Sequence, residues 1–234
     1  MKIVGLQKLT LLDYPGQVAC TVFLGGCNFR CPFCHNGQLL ENAPAIMSTD
    51  DLLTFLKGRQ GILDGVCITG GEPTLNPELP DLMRRIKEMD YLVKLDTNGY
   101  RPDVLKALVG EGLVDYVAMD VKNSPERYGE TVGVPDICMD RIEESIRYLM
   151  TGAVSYELRT TVVDPLHDEK SMEDMAVWLL DLGAGHKIQC LYLQPFVDRD
   201  TVLVGGLSAP NDEMLAKFAE ILGQCSKKVE LRGK

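Results

Sequence analysis

Short apolar runs alternate with amphipathic segments along the chain, at intervals of roughly 25–40 residues. The apolar runs have the length of buried strands, whereas the amphipathic segments carry Leu, Ile and Met at helical spacing. This alternation is typical of βα units and predicts a parallel sheet. The predicted strands lie near residues 18–24, 65–69, 91–95, 114–121, 154–163 and 187–193.

The helices between these strands are predicted from their capping residues. Ser48 begins one helix in a capping-box pattern, Asn76 before a proline begins a second, and Ser171 begins a third. Further helices are predicted after Pro102, near 139–150 and after Asn211, and a short strand is predicted at 229–231.

The number of βα units decides the expected architecture. Six units are too few for a closed eight-stranded barrel, so we expect an α/β fold, a partial (β/α)6 TIM-like barrel. We expect one domain over residues 1–234, with a core at about 15–200 and a C-terminal helix and strand at about 208–232.

Charge and composition exclude several classes of partner. The formal net charge of −10, from 24 basic and 34 acidic residues, argues against nucleic-acid binding, which depends on basic residues that neutralise phosphates. An anionic membrane surface is excluded for the same reason, and no apolar run approaches the ~20 residues of a membrane span. Eight cysteines without an export signal indicate reduced thiols and a cytoplasmic protein.

Cys27, Cys31 and Cys34 form a C-x3-C-x2-C pattern directly after the first predicted strand. Such closely spaced thiols can ligate a soft metal or an iron–sulfur cluster. An all-cysteine zinc site needs a fourth sulfur, but the next cysteine, Cys67, lies inside an apolar run. His35 could complete a zinc site, although we expect it to pack or hydrogen bond beside the metal centre. An incomplete thiolate set is also typical of a centre with an open coordination position, where a substrate binds.

Four other unusual stretches lie at the ends of predicted strands. In parallel α/β barrels the catalytic residues lie at the C-terminal ends of the strands, so we expect these stretches and the cysteine loop to form one site. They are Gly70-Gly71-Glu72-Pro73, Asp96-Thr97-Asn98-Gly99, Asp120-Val121-Lys122 and Gln194.

The cysteine spacing, with Phe33 before the third cysteine, resembles that of the radical S-adenosylmethionine (SAM) enzymes. His35-Asn36 and the upstream Leu12-Asp13-Tyr14-Pro15-Gly16 resemble more narrowly the glycyl-radical-enzyme activating enzymes. Within these, the chain is most similar to the activating components of anaerobic ribonucleoside-triphosphate reductase, in a longer form with the proportions of pyruvate formate-lyase activating enzyme. The resemblance runs from about residue 10 to about residue 200.

This resemblance implies that Cys27, Cys31 and Cys34 hold a 4Fe–4S cluster, and that the amino and carboxylate groups of SAM bind its fourth iron. A flavodoxin or a ferredoxin is the expected electron donor. The reduced cluster would cleave SAM to a 5′-deoxyadenosyl radical, which removes a hydrogen atom from a glycine of a glycyl radical enzyme. The expected partner is anaerobic ribonucleotide reductase, and no residue is assigned as a separate catalytic acid or base.

The resemblance also implies which other residues bind SAM. Gly70 and Gly71 are expected to approach its amino group closely, because no Cβ stands in the way, and Glu72 is expected beside them unless backbone contacts fix it instead. Lys122 would offset the carboxylate of SAM. The complete predicted set is Phe33, Gly70, Gly71, Glu72, Asp96, Asn98, Asp120, Lys122, Arg159 and Gln194.

A monovalent cation, Na⁺ or K⁺, is expected beside the SAM carboxylate by resemblance to pyruvate formate-lyase activating enzyme. Its ligands would be Asp96, Thr97, Asp120 and the Ala118 carbonyl, although turn hydrogen bonding alone would also explain the Asp-Thr-Asn-Gly stretch. One position departs from that relative. The histidine that follows the Pro-aromatic pair after the sixth strand is replaced here by Val197.

Two other functions remain open at this point. One is a radical SAM enzyme that acts on a small molecule or matures a peptide, such as a deazapurine synthase. The other is a noncatalytic iron–sulfur electron carrier or sensor, which leaves the Gly-Gly-Glu-Pro and Asp-Thr-Asn-Gly stretches unexplained. The remaining residues have simpler interpretations: His167 and His186 are expected to be solvated, and the isolated cysteines to be small buried hydrophobic residues.

Overall fold

The computed structural model describes residues 1–40 and 43–233, which divide into two units. The first unit comprises residues 1–28 and 38–118, and the second comprises residues 29–37 and the chain from residue 119 onward. Both units alternate strands and helices, which confirms the predicted α/β class. The strands are β1 Ile3–Thr10, β2 Ala19–Leu24, β3 Gly65–Gly70, β4 Leu92–Thr97, β5 Tyr116–Asp120, β6 Ser155–Val162, β7 Leu191–Pro195 and β8 Val229–Leu231.

The helices occupy the segments between these strands, and each buries an apolar stripe. In the second helix, for example, Leu79, Leu82, Met83 and Ile86 are fully buried, as the helical spacing predicts. The helices are α1 Thr49–Lys57, α2 Leu79–Lys87, α3 Pro102–Gly110, α4 Pro125–Val132, α5 Met139–Met150, α6 Glu169–Leu182 and α7 Asp212–Leu222. Within the described part of the chain, no helix has the length and apolarity needed to cross a membrane.

The first unit is built on the strand order β1-β2-β3-β4. Strands β2, β3 and β4 are parallel, with Val22 beside Ile68 and Val66 beside Val93. Strand β1 is antiparallel to β2 and was not predicted from the sequence. Its burial is irregular along its length, so the period of two that marks a half-buried strand is weak there.

The second unit contains the parallel order β6-β7-β8. The sixth predicted strand is shifted, because 187–193 was expected and Leu191–Pro195 is observed. Gln194 therefore lies within β7 and pairs with Thr161 of β6. Helix α4 was also not predicted, since its eight residues contain only a short apolar pattern around Tyr128 and Val132.

Two predicted helix starts are wrong by two or three residues, whereas the Ser48 capping box is confirmed. Helix α2 has Glu78 as its N-cap and Pro80 in its first turn, while Asn76 ends a preceding 3₁₀ turn. In α6 the capping residue is Asp168, whose carboxylate accepts a 2.8 Å hydrogen bond from the Ser171 backbone N–H. Ser171 is thus the third helical residue of the box rather than its cap.

Candidate functional site

The cysteine loop carries three thiols, of which Cys31 is buried and Cys27 and Cys34 are half-buried. Burial raises the pKa of Cys34, while the Asn36 backbone N–H and the Lys122 ammonium oppose that rise. Nearby positive charge and N–H donors are what a thiolate ligand requires. Among the residues that the structure describes, no three His, Cys, Asp or Glu side chains form a group that could hold a single metal ion. Ligation by the three cysteines stays a prediction.

In the second unit, the C-terminal end of α4 holds the start of the Cys31–Cys34 turn. The Arg30 N–H donates to the Val132 carbonyl at 2.8 Å, and the Cys34 N–H donates to the Cys31 carbonyl at 3.1 Å. Gly133, which follows α4, has a φ of +66°, and a Cβ there would lie 2.5 Å from the Arg30 carbonyl oxygen. The helix end and the loop therefore approach too closely for any residue other than glycine.

His35 is held by packing and hydrogen bonds. Its Nε2 lies 2.7 Å from the Val197 carbonyl, and its ring stacks on Phe196 with centroids 5.5 Å apart. The Thr201 hydroxyl also donates to the His35 carbonyl at 2.7 Å. Burial lowers the pKa of His35, so the ring is neutral at pH 7 and donates its Nε2 proton to the carbonyl. This agrees with the expectation that His35 packs and hydrogen bonds beside the cysteines.

Asp120 is the centre of a charged cluster in the second unit. Its carboxylate accepts from Lys122 Nζ at 2.9 Å and from Arg159 Nε at 3.0 Å. Burial alone would lower the pKa of Lys122, but the Asp120 carboxylate and the Cys31 sulfur raise it above its ordinary value. Lys122 Nζ also lies 5.9 Å from the centre of the Phe33 ring. The structure thus brings together four of the predicted residues and places their positive charge near Cys31.

Gln194 faces the same side of the sheet as Arg159. Gln194 pairs with Thr161 on the neighbouring strand, and Thr161 lies two residues after Arg159, so these side chains share one face. His167 contacts the backbone beside this cluster, because its Nε2 lies 2.8 Å from the Lys122 carbonyl. The prediction that His167 is solvated is wrong: it is 4% exposed.

The prediction that the isolated cysteines are small buried residues is wrong for Cys138, which is exposed.

Glu72 organises the corresponding residues of the first unit. It is 1% exposed, and its carboxylate accepts from the Thr74 N–H and hydroxyl at 3.1 and 2.5 Å. It also accepts from the Thr97 hydroxyl and the Asn98 N–H, both at 2.7 Å. Burial raises the pKa of Glu72, and these hydrogen bonds oppose the rise. Contacts within the protein thus fix Glu72, which is the alternative that the sequence left open.

We expect Glu72→Gln to lower the free energy of unfolding by about 1–3 kcal/mol, because an amide has a single oxygen and its NH₂ group would face the Asn98 N–H. Anaerobic urea denaturation measures this change. Glu88→Gln is the matched control on an exposed position and should change stability by less than about 0.5 kcal/mol. Equal stabilities of the two variants would contradict the role given to Glu72.

Asn98 connects Glu72 with the first cysteine. Its Nδ2 donates to Asn28 Oδ1 at 2.9 Å and lies 4.0 Å from Cys27 Sγ, while its backbone N–H binds Glu72. Asn28 Nδ2 is buried and has no hydrogen-bond partner among the described residues. A buried donor of this kind requires an acceptor, and a ligand beside Cys27 that offers oxygen or nitrogen atoms would provide one. Asn28 was not among the predicted site residues.

Gly70 and Gly71 lie against the protein's own backbone. A Cβ on Gly71 would lie 1.9 Å from the Gly26 carbonyl oxygen, and one on Gly70, whose φ is +123°, would lie 2.3 Å from Leu24. The Gly71 N–H donates to the Leu24 carbonyl at 2.8 Å, and the Glu72 N–H donates to the Gly26 carbonyl at 2.7 Å. The sequence suggested that the absence of Cβ atoms at these positions would admit a ligand. In the structure their absence is required for a different reason, because both glycines contact the backbone of Leu24 and Gly26, which leads into the cysteine loop.

Asp96, predicted as a cation ligand, forms an ion pair with Lys94. Lys94 is 1% exposed, and Cys67 Sγ lies 3.9 Å from its ammonium and 3.7 Å from the Asp96 carboxylate. Sequence reasoning did not identify Lys94. The signal was present, because a lysine inside an apolar strand, two residues before an aspartate, shares a face with that aspartate.

Comparison with known proteins identifies the family to which this arrangement belongs. A family model described as the Radical SAM superfamily matches residues 21–179, more than half of the chain. The chain belongs to the radical SAM superfamily. Membership implies a 4Fe–4S cluster and SAM as cofactors. The donor set fits them, because three cysteine thiols lie on one loop, basic charge lies near Cys31, and Asn28 Nδ2 is a buried donor beside Cys27.

Several known proteins are similar to this chain in sequence. A putative glycyl-radical enzyme activating enzyme of Methanocaldococcus jannaschii is 34% identical over 184 residues, which are 76% of this chain and 75% of that protein. A second such protein of the same organism is 33% identical over 188 residues, 78% of this chain and 66% of that protein. A probable GTP 3′,8-cyclase of Thermococcus kodakarensis is 32% identical over 148 residues, but this chain spans only 46% of its length.

Solved structures share the fold at low sequence identity. A domain of pyruvate-formate lyase-activating enzyme from Bacteroides vulgatus has a TM-score of 0.58 at 22% identity, over 72% of this chain and 99% of that chain. Streptococcus suis SuiB bound to S-adenosylmethionine has a TM-score of 0.66 at 15% identity, over 91% of this chain and 52% of that chain. The predicted fold, an α/β architecture with a partial parallel sheet of the radical SAM type, is confirmed by these similarities.

Proposed function

We propose that this radical SAM protein is an activase that generates a glycyl radical on a partner enzyme, with anaerobic ribonucleotide reductase as the first candidate. The observation that carries this proposal is the 34% identity with a putative glycyl-radical enzyme activating enzyme, which extends over three quarters of both chains. The second relative of that description supports it. The His35-Asn36 pair and the Asp13-Tyr14-Pro15-Gly16 turn are the sequence features that favour it.

In this proposal Cys27, Cys31 and Cys34 would hold the 4Fe–4S cluster, and the cluster would supply the electron for reductive cleavage of SAM. Each activation would consume one electron and one SAM, release methionine and 5′-deoxyadenosine, and remove one hydrogen atom from a glycine Cα. A flavodoxin or ferredoxin is the proposed electron donor, because the cluster requires a strong reductant. The protein itself contributes binding, orientation and electrostatics.

The side chains around the cysteine loop have separate roles in this proposal. Lys122 and Arg159 bring positive charge to the carboxylate group of SAM, and Asp120 fixes both of them at 2.9–3.0 Å. Asn28 and Asn98 offer amide donors near Cys27. Glu72 acts indirectly, because its carboxylate accepts a hydrogen bond from the Asn98 backbone N–H and so positions Asn98. Phe33, Gln194 and the glycine pair complete the proposed SAM-binding set.

A small-molecule radical reaction is the second candidate, because the chain is 32% identical to a probable GTP 3′,8-cyclase. The match supports it less, since it extends over 61% of this chain and under half of that relative. A noncatalytic electron carrier is not supported by either group of relatives.

The deciding experiment mixes the anaerobically reconstituted protein, SAM and a reductant with purified anaerobic ribonucleotide reductase. We expect the doublet of a glycyl radical in the EPR spectrum, and no doublet when the radical glycine of the reductase is replaced by alanine. Parallel reactions contain pyruvate formate-lyase or GTP instead. GTP consumption with SAM turnover and no doublet from either enzyme would overturn the proposal in favour of the second candidate.

A further inference from the structure

The two carboxylates expected to hold a monovalent cation are each paired with basic side chains of their own unit. In the first unit Asp96 pairs with Lys94. In the second unit Asp120 pairs with Lys122 at 2.9 Å and with Arg159 at 3.0 Å. Counted within the two units, the negative charges of both carboxylates are already offset. A Na⁺ or K⁺ ion that binds these carboxylates would have to compete with Lys94 at Asp96, and with Lys122 and Arg159 at Asp120.

Lys94 is a buried cation whose position beside Asp96 is determined by strand β4. It lies on β4 two residues before Asp96, so both side chains project from the same face of the strand. Its side chain is 1% exposed and that of Asp96 is 13% exposed. A buried ammonium is tolerated only with a close counter-charge. The geometry of the pair is therefore set by the strand itself and does not depend on an ion from solution.

The other expected oxygen ligand of the first unit is also engaged. The Thr97 hydroxyl donates to Glu72 at 2.7 Å and accepts from the Gly99 N–H at 3.1 Å. The bond from the Gly99 N–H is the kind of turn hydrogen bond that the sequence offered as an alternative explanation of the Asp-Thr-Asn-Gly stretch, whereas the bond to Glu72 joins two residues far apart in the chain. The Thr97 hydroxyl is thus engaged in hydrogen bonds with Glu72 and Gly99, and the Asp96 carboxylate is engaged in its ion pair with Lys94.

We propose that the Lys94 ammonium takes the place of the monovalent cation, so that SAM binding by this protein is independent of Na⁺ and K⁺. The proposal rests on the proposed function only in assuming that SAM is the ligand. Lys94 is a positioning residue here: it neutralises Asp96 and holds its carboxylate, as a bound alkali ion would do in a chain with a neutral residue at this place.

The first test measures SAM binding to the anaerobically reconstituted protein by calorimetry in choline, sodium and potassium chloride at equal ionic strength. Dissociation constants that agree within about twofold are expected, because the charge of Asp96 is already balanced. A wild-type protein that binds SAM about tenfold or more tightly in sodium or potassium chloride than in choline chloride overturns the proposal.

The second test removes the charge of Lys94 and asks whether SAM binding then requires a monovalent cation. Lys94→Met keeps the length of the side chain but removes its charge, so we expect SAM affinity to fall about tenfold or more in choline and to recover in potassium or sodium chloride. Lys94→Arg keeps the charge and should stay independent of the cation. Lys87→Met is the matched control, because Lys87 forms an ion pair with Asp115 at 2.8 Å in the same unit, and it should show no cation effect.

Thermal unfolding separates this proposal from the proposed function. In Lys94→Met, potassium should raise the unfolding temperature relative to choline, whether or not SAM binds, and the wild type and Lys87→Met should show no such difference. A protein that fails to bind SAM but shows this pattern contradicts the proposed function and supports the role of Lys94. A Lys94→Met protein that folds and is equally stable in both salts overturns the role of Lys94. If that variant does not fold, the wild-type binding series decides.

Discussion

Replacing Cys31 with alanine is expected to abolish reductive cleavage of SAM, with a loss of about a thousandfold or more in 5′-deoxyadenosine formed. A cluster held by three thiolates has no substitute ligand when one is removed, and Cys31 is the buried member of the loop. The measurement is chromatography of 5′-deoxyadenosine after anaerobic reconstitution and reduction. Iron content and the absorption of the reconstituted protein should fall together with activity.

The matched control is Cys138→Ala, which removes a thiol that is exposed and lies at the start of α5. It should retain iron content and SAM cleavage close to those of the wild type, since no packing is lost at an exposed position. Cleavage that survives in Cys31→Ala, or that is lost equally in both variants, would contradict the cluster assignment.

Replacing Gly71 with alanine is expected to lower the free energy of unfolding by more than about 3 kcal/mol. The added Cβ would lie 1.9 Å from the Gly26 carbonyl oxygen, and that oxygen belongs to backbone. Relief of this overlap would break the hydrogen bond between the Gly26 carbonyl and the Glu72 N–H. We expect the variant to take up less iron as well, because the displaced backbone leads directly into Cys27.

Gly110→Ala is the control for Gly71→Ala in the same unit. A Cβ on Gly110, the last residue of α3, would meet no atom within 4 Å apart from its chain neighbours and the backbone of its own helix. Alanine there should be neutral or stabilise the protein by up to about 1 kcal/mol, because it restricts the unfolded chain. Anaerobic denaturation of both variants gives the comparison. A Gly71→Ala protein as stable as Gly110→Ala would show that the loop backbone can shift without cost.

The parallel strands could be predicted from the sequence because they are buried runs of apolar residues. The runs near 65–69 and 91–95 correspond to β3 and β4, and helix α5 was predicted at 139–150 and is observed there. Strand β1 and helix α4 could not be predicted, since each has an irregular apolar pattern and is stabilised by tertiary contacts. Helix starts were misplaced where two capping residues competed, as at Asp168 and Ser171.

The candidate site could be predicted where residue types are constrained by chemistry. The spacing of Cys27, Cys31 and Cys34, together with the other motifs, predicts their role as ligands, which stays a prediction, whereas Lys122 and Arg159 are seen to lie beside Asp120. The hydrogen-bond partners of Glu72, in contrast, could not be predicted from the sequence. Whether Glu72 contacts a ligand or the Thr97 hydroxyl depends on a spatial contact between residues far apart in sequence, and no local pattern reports it.

Position 197 illustrates a limit of sequence comparison for this protein. The His35 ring is bound by the main-chain oxygen of Val197, whose own side chain is 47% exposed. Any amino acid can present that oxygen, so natural variation at 197 carries no information about whether the interaction exists. A substitution at 197 that leaves the path of the backbone unchanged should therefore leave the position of the His35 ring unchanged as well.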